Sequence, residues 1–110
     1  MFIETDRLDV KEPRDGWKGR FFHSGNMTFS YYDVVAGSWV HEHRHSNEEV
    51  WNIVEGTFEV TVDGETRVVG PGGAAVVDPD VPHAVKALTD GKAIVVDHPR
   101  RHTVGGIDLD

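Results

Sequence analysis

Val50-Trp51-Asn52-Ile53-Val54-Glu55-Gly56-Thr57-Phe58-Glu59-Val60-Thr61-Val62-Asp63-Gly64-Glu65-Thr66-Arg67-Val68-Val69 holds three short apolar or β-branched runs, divided by Glu-Gly and by Asp-Gly. Asp-Gly between two β-prone runs predicts a tight hairpin, because both turn residues need positive φ. The same punctuation extends outward in both directions. Residues 27–35 are rich in aromatic and β-branched side chains and end near Gly37, and residues 74–77, 83–88 and 93–96 repeat the pattern, with a second Asp-Gly turn expected at Asp90-Gly91. The 12 glycines and 5 prolines are spaced so that no helical period runs uninterrupted. About eight or nine short strands at near-regular spacing predict an all-β chain folded as a closed barrel or a two-sheet jelly roll.

A chain of 110 residues is one domain with room for one core. Residues 1–20 are polar and read as an N-terminal arm or edge strand, residues 21–99 as the barrel, and residues 100–110 as a polar C-terminal tail. The absence of cysteine excludes a disulfide scaffold, a Cys-ligated zinc or iron–sulfur site and a thiol nucleophile. The formal net charge of −8 repels phosphate backbones and anionic lipids, so neither nucleic acid nor a membrane is an expected partner. Met1-Phe2-Ile3-Glu4-Thr5-Asp6 lacks the basic-then-apolar order of a secretory leader, and a cytoplasmic location is expected.

Seven histidines remain, and His41, His43 and His45 fall within five residues. On a strand, residues two apart share a face, so these rings would point one way. Neutral imidazole is the commonest side-chain metal ligand. A carboxylate after a short turn can close the same shell, and His83, behind the stiff Asp78-Pro79-Asp80-Val81-Pro82, can enter it from another strand. A lone histidine is more often a surface group than a ligand; the weight lies in the combination. The same parity expects Trp39 and Trp51 on the inward face as pocket walls.

These residues resemble a known family. From Gly37 the chain runs five residues to His43, one to His45, three to Glu49 and six to Gly56, which resembles the first motif of the cupin superfamily at every defined position. Residues 72–83 resemble the second motif in part: Asp78 stands in place of Pro, Asp80 in place of Gly, and Ala87 in place of Asn. Asp tolerates left-handed backbone better than most residues. Fifteen residues separate Gly56 from Gly72, the spacing of small single-domain, RmlC-like members.

The resemblance implies a cupin double-stranded β-helix, that is, a jelly-roll β-barrel. It implies His43, His45, Glu49 and His83 as ligands of one divalent transition ion (Mn, Fe, Co, Ni, Cu or Zn). In that register His41 lies one strand step toward the rim, as a general acid/base, a group supporting the ligands, or a solvated histidine. The implied partner is a small-molecule substrate bearing oxygen and chelated to the ion. The implied activity is an oxidoreductase of dioxygenase type, or an isomerase or cyclase; the alternative is a non-catalytic small-molecule or metal-sensing module. Compact relatives also imply a homodimer, for which the segment through Trp17, Phe21 and Phe22 could supply an exchanged strand or cap.

Overall fold

The hairpin predicted at Asp63-Gly64 forms between β6 (Phe58–Val62) and β7 (Glu65–Val69), with φ of 50° and 79° at the two turn residues. Around it the computed structural model, which describes all of residues 1–110, is nearly all strand. In chain order the other strands are β1 (Lys11–Arg14), β2 (Trp17–His23), β3 (Thr28–Val34), β4 (Trp39–His43), β5 (Glu48–Glu55), β8 (Ala74–Val77), β9 (His83–Ala87) and β10 (Gly91–His98), then the short β11 (Thr103–Val104) and β12 (Ile107–Asp108). One turn of 3-10 helix, Thr5–Arg7, precedes them, and no helix is long and apolar enough to cross a membrane.

Two antiparallel sheets face each other, in the orders β1-β2-β3-β10-β5-β8 and β4-β9-β6-β7, while β11 and β12 form a separate ribbon. This is the jelly roll. Consecutive strands β4 and β5, and again β8 and β9, lie in different sheets, so the loops between them cross the open end of the barrel. Those loops carry His45 and the proline-rich turn.

Alternation along each strand fills the space between the sheets. Trp17, Tyr32, Trp51 and Phe58 meet at its centre, with Trp17 edge-on to Tyr32 at 5.5 Å and to Trp51 at 5.7 Å. Edge-to-face pairs of this kind add to the gain from burying their area.

The N-terminal expectation needs correction. A boundary between residues 20 and 21 falls inside β2, and Trp17 is only 1% exposed, at the heart of the barrel. Phe21 also faces inward, edge-on to Tyr32. Only Phe22 lies on the outer face, stacked on Phe29 at 4.9 Å. The polar residues between them on β2 hid this alternation; within residues 1–20, only β1 is an edge strand. The C-terminal residues are not a loose tail either, because the β11–β12 ribbon buries Val104.

Asp90-Gly91 is not a hairpin turn, since β9 and β10 belong to different sheets. Gly91 already belongs to β10, and a Cβ there would come within 2.7 Å of the Glu55 carbonyl oxygen and the Phe58 ring. Close approach, rather than a positive φ, explains this glycine. The Asp90 carboxylate accepts the Ala36 N–H at 2.8 Å.

Candidate metal centre

β4 carries one residue more than its partner. Val40 pairs with Val85 and His43 pairs with His83, so His41 and Glu42 together oppose the single residue Ala84. Such a bulge inverts the alternation. Val40 points into the core, and so does His43 three residues later. Trp39 and His41 are left on the outer surface.

The expectation that Trp39 and His41 face the pocket is therefore corrected. Trp39 is 44% exposed, His41 stacks on it at 5.7 Å, and the Lys86 ammonium sits 5.1 Å from its ring. Trp51, on unbroken β5, does face inward and is buried.

The structure brings the other candidates together. One ligand atom from each of His43, His45 and His83 falls within 4.8 Å of the others. His43 ends β4, His83 begins β9 beside it, and His45 leans in from the β4–β5 loop. That loop is tied to the second motif by the Asp80 N–H, which donates to the His45 carbonyl at 2.8 Å. Asp80 adopts a φ of 64°, the left-handed geometry expected where Asp replaces Gly.

Each imidazole is oriented by its own backbone. Nδ1 of His43 lies 2.7 Å from the His41 carbonyl, Nδ1 of His45 lies 3.1 Å from that of Asn47, and Nδ1 of His83 lies 2.9 Å from that of Val81. Donation from Nδ1–H fixes the tautomer that leaves Nε2 with a free lone pair.

Glu49 on β5 closes the set. Its carboxylate oxygens lie 3.1 Å from His45 Nε2 and 3.3 Å from His83 Nε2, yet neither nitrogen, both buried, has an aligned hydrogen-bond partner. Buried polar atoms rarely go unpaired. Three clustered imidazoles beside a carboxylate, with two of the facing nitrogens left unpaired, fit a divalent cation. The donor set suits the metal implied by the sequence.

Three further charged residues stand here that the sequence left unassigned. Asp97 on β10 lies directly across from Glu49, and the Arg101 guanidinium is 3.5 Å from Glu49 and 3.8 Å from Asp97. Arg14, from β1, lines the same inner pocket as His43 and Glu49. Asp97 had a signal: it continues the inward series Ala93, Val95 as a carboxylate among apolar residues.

The charges settle as burial dictates. Burial alone would raise Glu49, but the His45 and His83 imidazoles beside it, which favour the ionised carboxylate whenever their Nε2 carries a proton, outweigh it and hold the carboxyl well below its usual range. Burial, reinforced by the facing Glu49, pushes Asp97 up to about 9, so it keeps its proton at neutral pH. Burial lowers His43 below the ordinary imidazole value. His83 is raised, because the neighbouring Glu49 carboxylate and the Val81 carbonyl favour its protonated form by more than burial opposes it.

Known proteins share this architecture. A solved RmlC-like cupin from Shewanella frigidimarina superposes with a TM-score of 0.86 at 26% identity, over 91% of each chain. KdgF from a Halomonas species gives the same TM-score and identity, over 92% of this chain and 94% of its own. An uncharacterized Streptomyces coelicolor protein, SCO3923, is 28% identical over 98 residues, 86% of this chain and 93% of its own. The cupin domain model matches residues 30–99. That span runs from within β3 to the end of β10 and takes in both histidine-bearing segments; the chain belongs to the cupin family.

Proposed function

We propose that the protein is a metal-dependent enzyme acting on a small oxygen-bearing organic molecule, with His43, His45, Glu49 and His83 holding one divalent transition ion. The observation that carries it is the clustering of His43, His45 and His83, each ring set by an Nδ1–carbonyl contact, beside the Glu49 carboxylate, with which the buried Nε2 atoms of His45 and His83 do not align. When bound, such an ion supplies Lewis acidity toward a substrate oxygen and, if redox-active, electron chemistry with O₂.

The chain's own residues do the rest. Trp51 Nε1–H and Arg101 hold the Glu49 carboxylate, the histidine carbonyl contacts hold the rings, and Trp17, Trp51 and Tyr32 keep the floor dry. Asp97, protonated at neutral pH, is the group placed to hold or move a proton at its carboxyl oxygen. It takes the part that strand parity gave to His41. Within this class, oxygenation or an isomerisation or cyclisation that shifts a proton both suit the donor set.

Protein purified without chelator is expected to carry about one first-row ion per chain, and adding that ion should raise the melting temperature by mass action. His83 must lose its proton to bind, so metal affinity should climb with pH through its raised value, above about 6.5. In the metal-free protein the sign reverses. The His83–Glu49 pairing contributes fully below about pH 6.5 and is lost as pH rises through the raised value. Metal-free preparations that neither bind nor are stabilised by any first-row ion would sink the proposal.

One observation favours a second reading, a non-catalytic metal- or small-molecule-sensing module. The enclosed space beside the histidines amounts to about 20 Å³, room for little more than a water. Product formation with O₂ consumption or isomerisation of an added organic acid separates the two; a sensor binds without turnover.

A homodimer is part of the same proposal. Phe22, Phe29, Val96, Val50 and Val76 lie side by side across five strands on the outer face of the larger sheet. Val76 is 58% exposed, and an apolar row this continuous is characteristic of an interface. A second copy would bury it through a self-complementary two-fold contact. Sedimentation at micromolar concentration is expected to give a dimer, and Phe29→Glu a monomer.

A further inference from the structure

Two hollows meet at one side chain. The inner pocket is lined by His43, Glu49, Asp97 and Arg101 among others, and an open surface groove of about 860 Å³ runs past Lys18, Trp39 and His41. Arg14 is the one residue that lines both. It stands at the junction between solvent and the metal centre, carried there by edge strand β1.

The charges around it do not balance. Arg101 is spent on Glu49 and Asp97, at 3.5 and 3.8 Å, whereas no carboxylate lies within 4.0 Å of the Arg14 guanidinium. Glu12, its neighbour on β1, accepts the Gly16 N–H in the turn at 3.2 Å. The Arg14 guanidinium is thus the one cation at the inner pocket left unpaired; a divalent ion would add two further positive charges. In the groove, by contrast, Lys18 is outnumbered by Glu12 and Asp15. An anion is therefore drawn toward the junction with its charged end inward, and its body remains in the groove.

We infer that Arg14 is the anchor of a carboxylate, and that the substrate of this centre is a small organic acid bound carboxylate-first at the junction of groove and pocket. A guanidinium matches a carboxylate with two parallel N–H···O bonds, which fixes orientation as well as affinity. That orientation puts the atoms next to the carboxylate beside His43 and the candidate ion, and leaves the rest of the molecule along Trp39. The inference deepens the proposed function by naming its substrate class, and it also explains how a pocket with room for one water serves a larger molecule.

The test uses benzoate and its neutral isostere benzamide, titrated calorimetrically into zinc-loaded and metal-free protein. Wild type is expected to bind benzoate at least about tenfold more tightly than benzamide, the advantage typical of one charge-assisted contact. Arg14→Gln should abolish that preference in both preparations with zinc content and melting temperature unchanged, and Arg14→Lys should restore part of it. A benzoate preference that survives Arg14→Gln, or is absent from wild type, overturns the inference. Failure to retain zinc defeats the metal proposal instead, and the metal-free titration still decides the role of Arg14.

Discussion

Alanine in place of His83 or His43 is expected to leave the purified protein nearly free of metal. Removing a hydrogen-bonded support of a metal ligand already costs about 10–100-fold in affinity, and removing the ligand costs more. His83 is the more severe site. It is almost wholly buried, it begins β9 directly opposite His43, and its Nε2 is aimed at the same space as that of His45. Glu49→Gln should weaken binding less, because the amide oxygen remains a ligand while the charge is lost. His41→Gln is the control. Its ring is on the outer surface against Trp39, so metal content should match wild type. Elemental analysis of the four variants, each checked for native melting, distinguishes the registers: metal lost with His41 and kept with His83 would refute the assignment.

Trp17→Ala should be the most destabilising single change outside the centre, by about 3–5 kcal/mol. Folded domains hold only about 5–15 kcal/mol in reserve, so this one change would remove a large share of it. The indole is surrounded by Tyr32, Trp51 and Phe58, and the cavity left by alanine cannot be filled by backbone fixed in two sheets. Trp17→Phe should recover a large share. Urea denaturation measures both, and a loss below about 1 kcal/mol, within the range of a surface substitution, would return residues 1–20 to the role of a detachable arm.

The fold was legible because jelly-roll strands are short and their turns are chemically marked. β7 and β8 begin and end where the sequence places them, and β6 differs only at its first residue. The donor set was legible through spacing, since His43, His45, Glu49 and His83 are fixed by a motif that already contains the bulge. What spacing could not convey is handedness across an irregularity. Parity counted from His43 back to Trp39 fails at His41-Glu42, where two residues oppose one. Arg14 and Arg101 were illegible for other reasons. Arg101 reaches the pocket through a long-range contact, its N–H on the Thr28 hydroxyl, which no local pattern encodes; Arg14 sits beside a local Asp15-Gly16 hairpin turn, whose signal was masked by the polar residues around it. Trp17 was misjudged because Lys18 and Arg20 on the same strand made the segment look solvated.

The extra residue in β4 also partitions the chain's mutational landscape. His41 and His43 are neighbours in any alignment, yet the sheet stands between their side chains like a wall, one facing water and the other the candidate ion. Selection on surface properties, such as solubility, can thus work on His41 and Glu42 without disturbing the ligands a few ångströms away. Length is as free there as identity, by the same geometry: with either His41 or Glu42 gone, the residue that remained would stand opposite Ala84 on the outer face, and Val40 and His43 would keep their inward places opposite Val85 and His83.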